Sequence, residues 1–166
     1  MAEMIRKPAE WTDRAPVKFR ASREMHASPQ EVWDVLCDHD RWPEWFSALD
    51  GARATGGTGI GSTRTVVIGK KFDIDEEFIV WDEPRSWGFS VVAAEGPLGT
   101  MAETLNERVD IQVLSPDRVR VTYLMAFQPR KRAGLLFRAA KRPMTKNLRD
   151  ALAGLERHIE AERTPA

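Results

Sequence analysis

The sequence predicts an α+β domain in which a curved antiparallel β-sheet wraps around one long C-terminal α-helix, with two short helices after the first strand. A capped helix directly follows an extended segment, and a series of short alternating segments joined by turns comes after it. The last third of the chain changes to helical periodicity and carries a single apolar stripe. A sheet with one apolar face supplies the broad surface that such a stripe needs.

Composition is that of an ordinary globular domain and argues against several classes of protein. The 166 residues suffice for one domain, which we divide into an arm over 1–16, a domain over 17–162 and a tail over 163–166. We expect the arm to be poorly ordered. A net charge of +0 argues against nucleic-acid binding, and the single cysteine excludes a disulfide framework. With no signal-peptide plan and no membrane-spanning apolar run, we expect a cytoplasmic protein.

The first strand and the two short helices have clear local signals. Residues 17–26 alternate as an extended segment does. Ser28 is a helix-capping residue, Pro29 suits the first helical position, and Glu31 completes a capping box. Residues 40–46 predict a second short helix despite an internal proline.

The middle of the chain predicts an antiparallel meander, because short alternating segments are separated by Gly, Pro and Asp turns. The predicted strands are 62–68, 72–81, 87–93, 103–114 and 119–127. Residues 56–61 and 96–99 are interpreted as turns.

The chain from 130 to 162 predicts helix with a break near Pro143, which removes a backbone donor. Beyond the break, apolar residues recur at spacings of three and four: Met144, Leu148, Leu152, Leu155 and Ile159. This stripe predicts the face of the long helix that packs against the sheet.

With these elements in place, the chain resembles the START-like, helix-grip (SRPBCC) superfamily, and most closely its bacterial polyketide cyclase/dehydratase-like branch. The resemblance covers about residues 17–161 and rests on Ala27-Ser28-Pro29, Glu31-Val32-Trp33 with Leu36, Trp42-Pro43-Glu44-Trp45, Gly59-Ile60-Gly61 and Trp81-Asp82-Glu83-Pro84-Arg85. It implies a cavity between the concave face of the sheet and the C-terminal helix. The expected partner is a small hydrophobic ligand of the polyketide, lipid or isoprenoid class, with no cofactor.

Strand alternation nominates the side chains that line this cavity. The candidate ligand-binding residues are Phe78, Trp87, Phe89, Val109, Val121 and Met125 on the strands, with Leu148 and Leu152 on the helix. The same alternation points Val80 and Val113 inward, although a β-bulge would invert the pattern beyond it.

Two polar residues on the predicted inner face are the candidate catalytic residues. Glu107 facing inward would be a carboxylate in an apolar site, with a raised pKa and the capacity for acid–base chemistry. The alternatives are that a bulge turns it outward, or that Arg64 or Arg23 pairs with it. Tyr123 either donates its hydroxyl to a ligand carbonyl or packs with the hydroxyl tethered.

The other polar candidates are assigned structural roles. We expect Glu76 to face solvent near a strand start, and the three histidines, His26, His39 and His158, to lie on the surface. Their spacing is not that of metal ligands, so no metal site is predicted. Cys37 lies within the first helix and is interpreted as a buried small hydrophobe.

A basic segment from Arg130 to Arg149 includes Leu135, Leu136 and Phe137. We favour a solvated helix face as its interpretation over contact with an anionic membrane surface or reception of an acidic ligand at the cavity mouth. The sequence does not predict an oligomeric state.

Two functions of different classes follow from the sequence. The first is a carrier or sensor that holds an apolar molecule between sheet and helix. The second is an enzyme of the polyketide cyclase/dehydratase type, with Tyr123 and Glu107 assisting enolisation or water loss. Convergence of these two side chains on one cavity would favour the enzyme.

Overall fold

An eight-stranded antiparallel sheet curves around a 23-residue C-terminal helix in the computed structural model, which describes residues 1–164. The strands are β1 (Ala2–Glu3), β2 (Val17–Met25), β3 (Gly51–Gly56), β4 (Thr63–Ile68), β5 (Phe72–Asp82), β6 (Ser86–Ala94), β7 (Ala102–Ser115) and β8 (Arg118–Pro129). The α-helices are α1 (Pro29–Cys37), α2 (Trp42–Trp45), α3 (Gly96–Met101), α4 (Gly134–Ala139) and α5 (Lys141–Arg163). Residues Ala9–Arg14 and His39–Arg41 form 3-10 turns.

The strand order β2-β8-β7-β6-β5-β4-β3 confirms the predicted helix-grip α+β fold. Every neighbouring pair in this order is antiparallel. The core lies between the concave face of the sheet and α5, whose buried residues include Leu148, Leu152, Leu155 and Ile159. None of the helices in residues 1–164 is long and apolar enough to cross a membrane.

The predicted capping box at α1 is confirmed. The backbone N–H of Glu31 donates to the Ser28 hydroxyl at 3.2 Å, and the backbone N–H of Ser28 donates to the Glu31 carboxylate at 2.7 Å. Arg163, at the end of α5, donates to the same carboxylate and lowers the pKa of Glu31 to about 2. The start of α1 is therefore tied to the end of α5.

The arm is ordered, contrary to expectation, because it fills a gap in the sheet. Beyond the Ser90–Asn106 pair β6 and β7 diverge, and β1 pairs with the end of β6. The Met4 N–H donates to the Val92 carbonyl at 2.9 Å, and the Ile5 N–H donates to the Glu103 carbonyl at 2.8 Å. The arm thus satisfies backbone groups that the diverging strands leave unpaired.

Three elements differ from the sequence expectations. The sequence analysis did not identify β3, and α3 replaces the turn expected at 96–99. The break before the long helix lies at Ala140, so Pro143 sits in the first turn of α5, where its missing N–H costs little. Helix α5 ends at Arg163 within the expected tail, and residues 165–166 lie outside the described residues.

One inward assignment is wrong, and a β-bulge lies beside it. The register between β5 and β6 shifts between Phe78 and Val80, so Val80 lines a groove on the outer face with Arg108. Val113 pairs with the buried Val119 and so keeps to the inner face, but near the end of β7 it is 56% exposed.

Helix α5 approaches α2 closely at Gly154. A Cβ atom at this position would lie 2.0 Å from the Trp45 carbonyl oxygen, so only glycine permits the approach. The contact fixes α2, which contributes Trp42 to the cavity described below.

We predict that Gly154→Ala lowers the free energy of unfolding by about 3 kcal/mol or more, since the backbone of one helix must move. Gly134→Ala is the control, because a Cβ atom there meets nothing within 4 Å. Urea unfolding followed by circular dichroism measures both. Equal stability of the two variants would contradict the close approach.

Candidate functional site

A cavity of about 350 Å³ lies between the concave face of the sheet and the helices. Its apolar wall comes mainly from the strands: Phe19, Val66, Ile74, Phe89, Val91, Leu105, Met125 and Phe127. Helices α3, α4 and α5 contribute Leu98, Met101, Leu136, Phe137 and Met144. Such a lining offers an apolar molecule a place out of water.

One wall of this cavity is polar, and it is formed by Arg64, Glu76, Glu107 and Tyr123. Arg64 and Glu76 form a buried ion pair, with Nη2 2.5 Å from Oε2 and Nε donating to the same oxygen at 2.7 Å. Their side chains are 1% and 4% exposed. The Arg64 guanidinium also lies 4.1 Å from the centre of the Trp42 ring, a cation–π arrangement.

Arg64 retains an unused donor. Its Nη1 atom is buried and has no hydrogen-bond partner among the described residues. A buried N–H without an acceptor costs free energy, and the side chain that carries this donor lines the cavity.

The second half of the polar wall is a hydrogen bond between two buried side chains. The Tyr123 hydroxyl donates to Glu107 Oε2 at 2.5 Å. Burial and, to a smaller extent, the negative charge of Glu76 raise the pKa of Glu107 to about 8, against the opposing effects of the Tyr123 hydrogen bond and the Arg64 charge. Burial also raises the pKa of Tyr123. Glu107 therefore holds a proton at neutral pH and can act as a proton donor.

Strand register brings these four side chains together. Arg64 on β4 lies directly opposite Glu76 on β5. Glu107 on β7 lies opposite Met125 on β8, and Tyr123 is two residues from Met125 on the same face. Diagonal neighbours of this kind are within reach of long side chains.

The structure brings four of the predicted site residues to the cavity and leaves six outside it. Glu107, Tyr123, Phe89 and Met125 line the cavity. The six others are buried in the adjoining core and do not line it: Phe78, Trp87, Val109, Val121, Leu148 and Leu152.

The six residues miss the cavity because side chains fill that end of the fold. Trp87 stacks on Trp42 with ring centres 5.1 Å apart, and Phe78 stacks on His39 at 5.3 Å. Alternation identifies the inner face of a strand, but it does not say where along that face the helices leave space.

Three expectations for polar residues are wrong, those for Glu76, His39 and His158, and the His158 side chain is 9% exposed. Glu76 was expected in solvent but is buried against Arg64, because β5 keeps its alternation from Ile74 through Phe78. The alternation of β5 was the sequence signal that Glu76 faces inward. The sequence suggested Arg64 only as a partner for Glu107, but in the structure Arg64 pairs with Glu76. His39 is not at the surface; burial and the nearby Arg64 charge lower its pKa to about 4.

The remaining candidates are placed as follows. His26 is exposed, and the His158 side chain is 9% exposed beside Glu44 and Glu162. Cys37 is partly buried, and burial raises the pKa of its thiol to about 12. Across residues 1–164, no group of three His, Cys, Asp or Glu side chains has the geometry to hold a metal ion.

Comparison of the sequence with known families gives one match over most of the chain. The model of the family described as "polyketide cyclase / dehydrase and lipid transport" matches residues 16–160. An uncharacterised protein of Mycobacterium tuberculosis is 28% identical over 157 residues, which cover 91% of this chain and 89% of the relative.

Solved structures share the fold at low sequence identity. A START superfamily protein from Mycobacterium smegmatis has a TM-score of 0.71 at 15% identity, covering 87% of this chain and 97% of that one. The Zhui aromatase/cyclase from Streptomyces sp. R1128 has a TM-score of 0.71 at 14% identity, covering 89% and 95%. At these identities the likeness concerns the fold alone.

We predict that Glu107 makes the protein less stable as pH rises. Because its pKa is raised from 4.5 to about 8, the folded protein binds more protons than the unfolded chain between these values. Its contribution is present below pH 4.5 and is lost as pH rises through about 8, by at most about 1.4 kcal/mol per pH unit.

Urea unfolding at pH 5 and pH 8.5 measures this loss. Glu107→Gln should show a smaller fall in the free energy of unfolding than the wild type, and the exposed control Glu160→Gln should match the wild type. An equal fall in all three proteins would show that Glu107 ionises as it does in water.

Proposed function

The chain belongs to the polyketide cyclase / dehydrase and lipid transport family, and from its cavity we propose that it binds a small, mostly apolar molecule as a carrier or sensor. The proposed ligand belongs to the polyketide, lipid or isoprenoid class. The observation that carries the proposal is the cavity between sheet and helices, which is mostly apolar and has one polar wall.

The apolar walls supply the affinity. Removing ligand carbon from water contributes about 25 cal/mol per Å² before the entropic costs of binding are subtracted. A cavity of about 350 Å³ lies at the small end of the range for ligand sites, so it suits a compact molecule or part of a longer chain.

The polar wall supplies orientation. The free Nη1 donor of Arg64 favours a ligand with an oxygen acceptor, such as a carbonyl, hydroxyl or carboxylate group. Protonated Glu107 offers a second donor close by. We infer that the ligand places its oxygen-bearing end on this wall and its carbon skeleton against the apolar walls.

A second candidate function is an acid–base enzyme of the polyketide cyclase/dehydratase type. Glu107 and Tyr123 share one cavity and one hydrogen bond, which is the arrangement that favours this alternative. Protonated Glu107 could donate its proton to a departing hydroxyl group, which would leave as water while the adjacent carbon loses a proton to solvent and a C=C bond forms. The same hydrogen bond also has a purely structural role, since it satisfies two buried polar groups. Binding is therefore the conclusion, with catalysis as the alternative.

We predict that filling the cavity abolishes ligand uptake. Met125→Trp introduces an indole ring at a cavity-lining position, whereas Val113→Trp introduces the same ring at an exposed site on the neighbouring strand. Titration with 1-anilinonaphthalene-8-sulfonate, followed by displacement with decanol, should give an affinity at least about tenfold lower for Met125→Trp alone. If both variants bind the dye as the wild type does, the dye does not occupy the cavity.

We also predict that the bound molecule is held without conversion. Native mass spectrometry of protein from its own host would detect a co-purifying ligand, and the extracted molecule is then incubated with fresh protein. Carriage requires that its mass and chromatographic retention stay unchanged. A product that forms with the wild type but not with Glu107→Gln or Tyr123→Phe, while both variants still bind the ligand, would establish the enzyme instead.

A further inference from the structure

Positive charge is concentrated in one segment of this chain, whose total net charge is +0. Residues 130–149 contain eight basic residues and no Asp or Glu: Arg130, Lys131, Arg132, Arg138, Lys141, Arg142, Lys146 and Arg149. Among residues 1–164 only Lys146 of this set pairs with a carboxylate, that of Asp150. Most of the charge in this segment is therefore available to an external partner.

Two adjacent leucines project from the same segment. Leu135 is 77% exposed and Leu136 is 57% exposed. Helix α4 cannot bury them, because Ala133 and Phe137 already form its inner face and Phe137 packs on Phe127, with ring centres 4.9 Å apart. Exposed leucines do not make a solvated basic helix more soluble, so a solvated face does not explain why this pair is exposed.

The leucines lie at the rim of the cavity. Leu136 lines it, as do Ala140 and Met144 on the following turns. Ile68 also lines the cavity and is 36% exposed, and the next turn of the chain carries Lys70 and Lys71. The rim therefore combines exposed apolar side chains with lysines and arginines.

We propose that this rim, formed by α4 and the basic residues of 130–142, docks on an anionic lipid surface. The leucines would enter the boundary between headgroups and acyl chains, and the basic side chains would contact the anionic headgroups. Docking in this way points the cavity opening at the lipids, so an apolar ligand could pass between the two without crossing water. The orientation rests on the proposed binding function, but the docking itself does not.

Charge complementarity decides between lipid and other occupants. An acidic protein would match the basic residues, but insertion of Leu135 needs an apolar phase or pocket. A membrane supplies both features along one flat surface, which suits a short projecting helix. The sequence names these leucines but does not show that they are exposed, which is why it favoured a solvated face.

Vesicle flotation tests the proposal with the full chain. We expect the wild type to float with vesicles of phosphatidylcholine containing 30 mol % phosphatidylglycerol at least about tenfold better than with phosphatidylcholine alone. Raising the salt concentration to about 0.5 M should reduce the difference, because salt screens the headgroup charge.

Three variants separate the contributions. Leu135→Ser should lower partitioning about threefold or more, and Lys131→Glu with Arg132→Glu about tenfold or more. Arg14→Glu with Arg157→Glu is the control, because both arginines are exposed basic residues outside the rim. The control changes the net charge of the protein by the same amount as Lys131→Glu with Arg132→Glu. It should nevertheless partition within about twofold of the wild type.

Absence of flotation with anionic vesicles would overturn the proposal, and so would equal losses in the rim and control variants. Flotation that persists fully in Leu135→Ser would show attraction by charge without insertion, which also contradicts it. Titration with 1-anilinonaphthalene-8-sulfonate on the same variants keeps the two proposals apart. None of the substituted residues lines the cavity, so loss of docking with normal dye binding concerns the rim alone.

Discussion

The candidate site depends on one constraint, that two buried carboxyl groups share the cavity wall with one guanidinium group. Arg64 contacts Glu76 directly and leaves Glu107 without a cationic partner. Burying a second unpaired charge would cost several kcal/mol, so Glu107 keeps its proton instead. Because Glu107 has no cationic partner and a buried carboxyl group needs a hydrogen-bond partner, it pairs with the Tyr123 hydroxyl. The result is one polar wall that carries no excess negative charge at neutral pH, within a cavity that is otherwise apolar.

Distant parts of the fold hold that wall in place. The Trp42 ring lies under Arg64, and its indole N–H donates to the Leu36 carbonyl at 3.0 Å. Helix α2, which carries Trp42, is held by the close approach of α5 at Gly154. On the other side of the sheet, the arm joins the diverging ends of β6 and β7. The cavity is thus bounded by contacts between residues far apart in sequence, which explains why its shape is not encoded in any one segment.

The sequence predicts those features that depend on neighbours along the chain. The cap at Ser28 and the stripe on α5 are local patterns, and both are found in the structure. The burial of β8 alternates only from Arg118 to Val121, and residues 122–127 are all buried. The bulge beside Val80 and the insertion of the arm depend on pairing between distant strands, so composition and periodicity carry no signal for them. Phe78 was correctly predicted to lie on an inner face, but it is packed in the core and does not line the cavity. Whether an inward side chain reaches the cavity depends on where the helices pack against the sheet. Glu76 was misjudged for the opposite reason: its alternation was clear, but a buried carboxylate is plausible only once a buried arginine is known.

Under the proposed function, the positions of the polar wall and of the basic rim make the cavity asymmetric in a way that would favour amphipathic molecules. Donors on Arg64 and Glu107 line one wall, and apolar residues continue from that wall to the exposed Leu136. A hydrocarbon without oxygen would leave the Arg64 donor unsatisfied, and a molecule polar at both ends would bury one end against apolar side chains. A ligand with one oxygen-bearing end would avoid both the unsatisfied donor and the burial of a polar end against apolar side chains. Its apolar end would then be directed toward the rim, the same part of the surface that carries the exposed leucines. The inner chemistry of the site and the outer chemistry of its rim therefore favour the same kind of molecule, one that resides in a lipid phase and carries a single polar end.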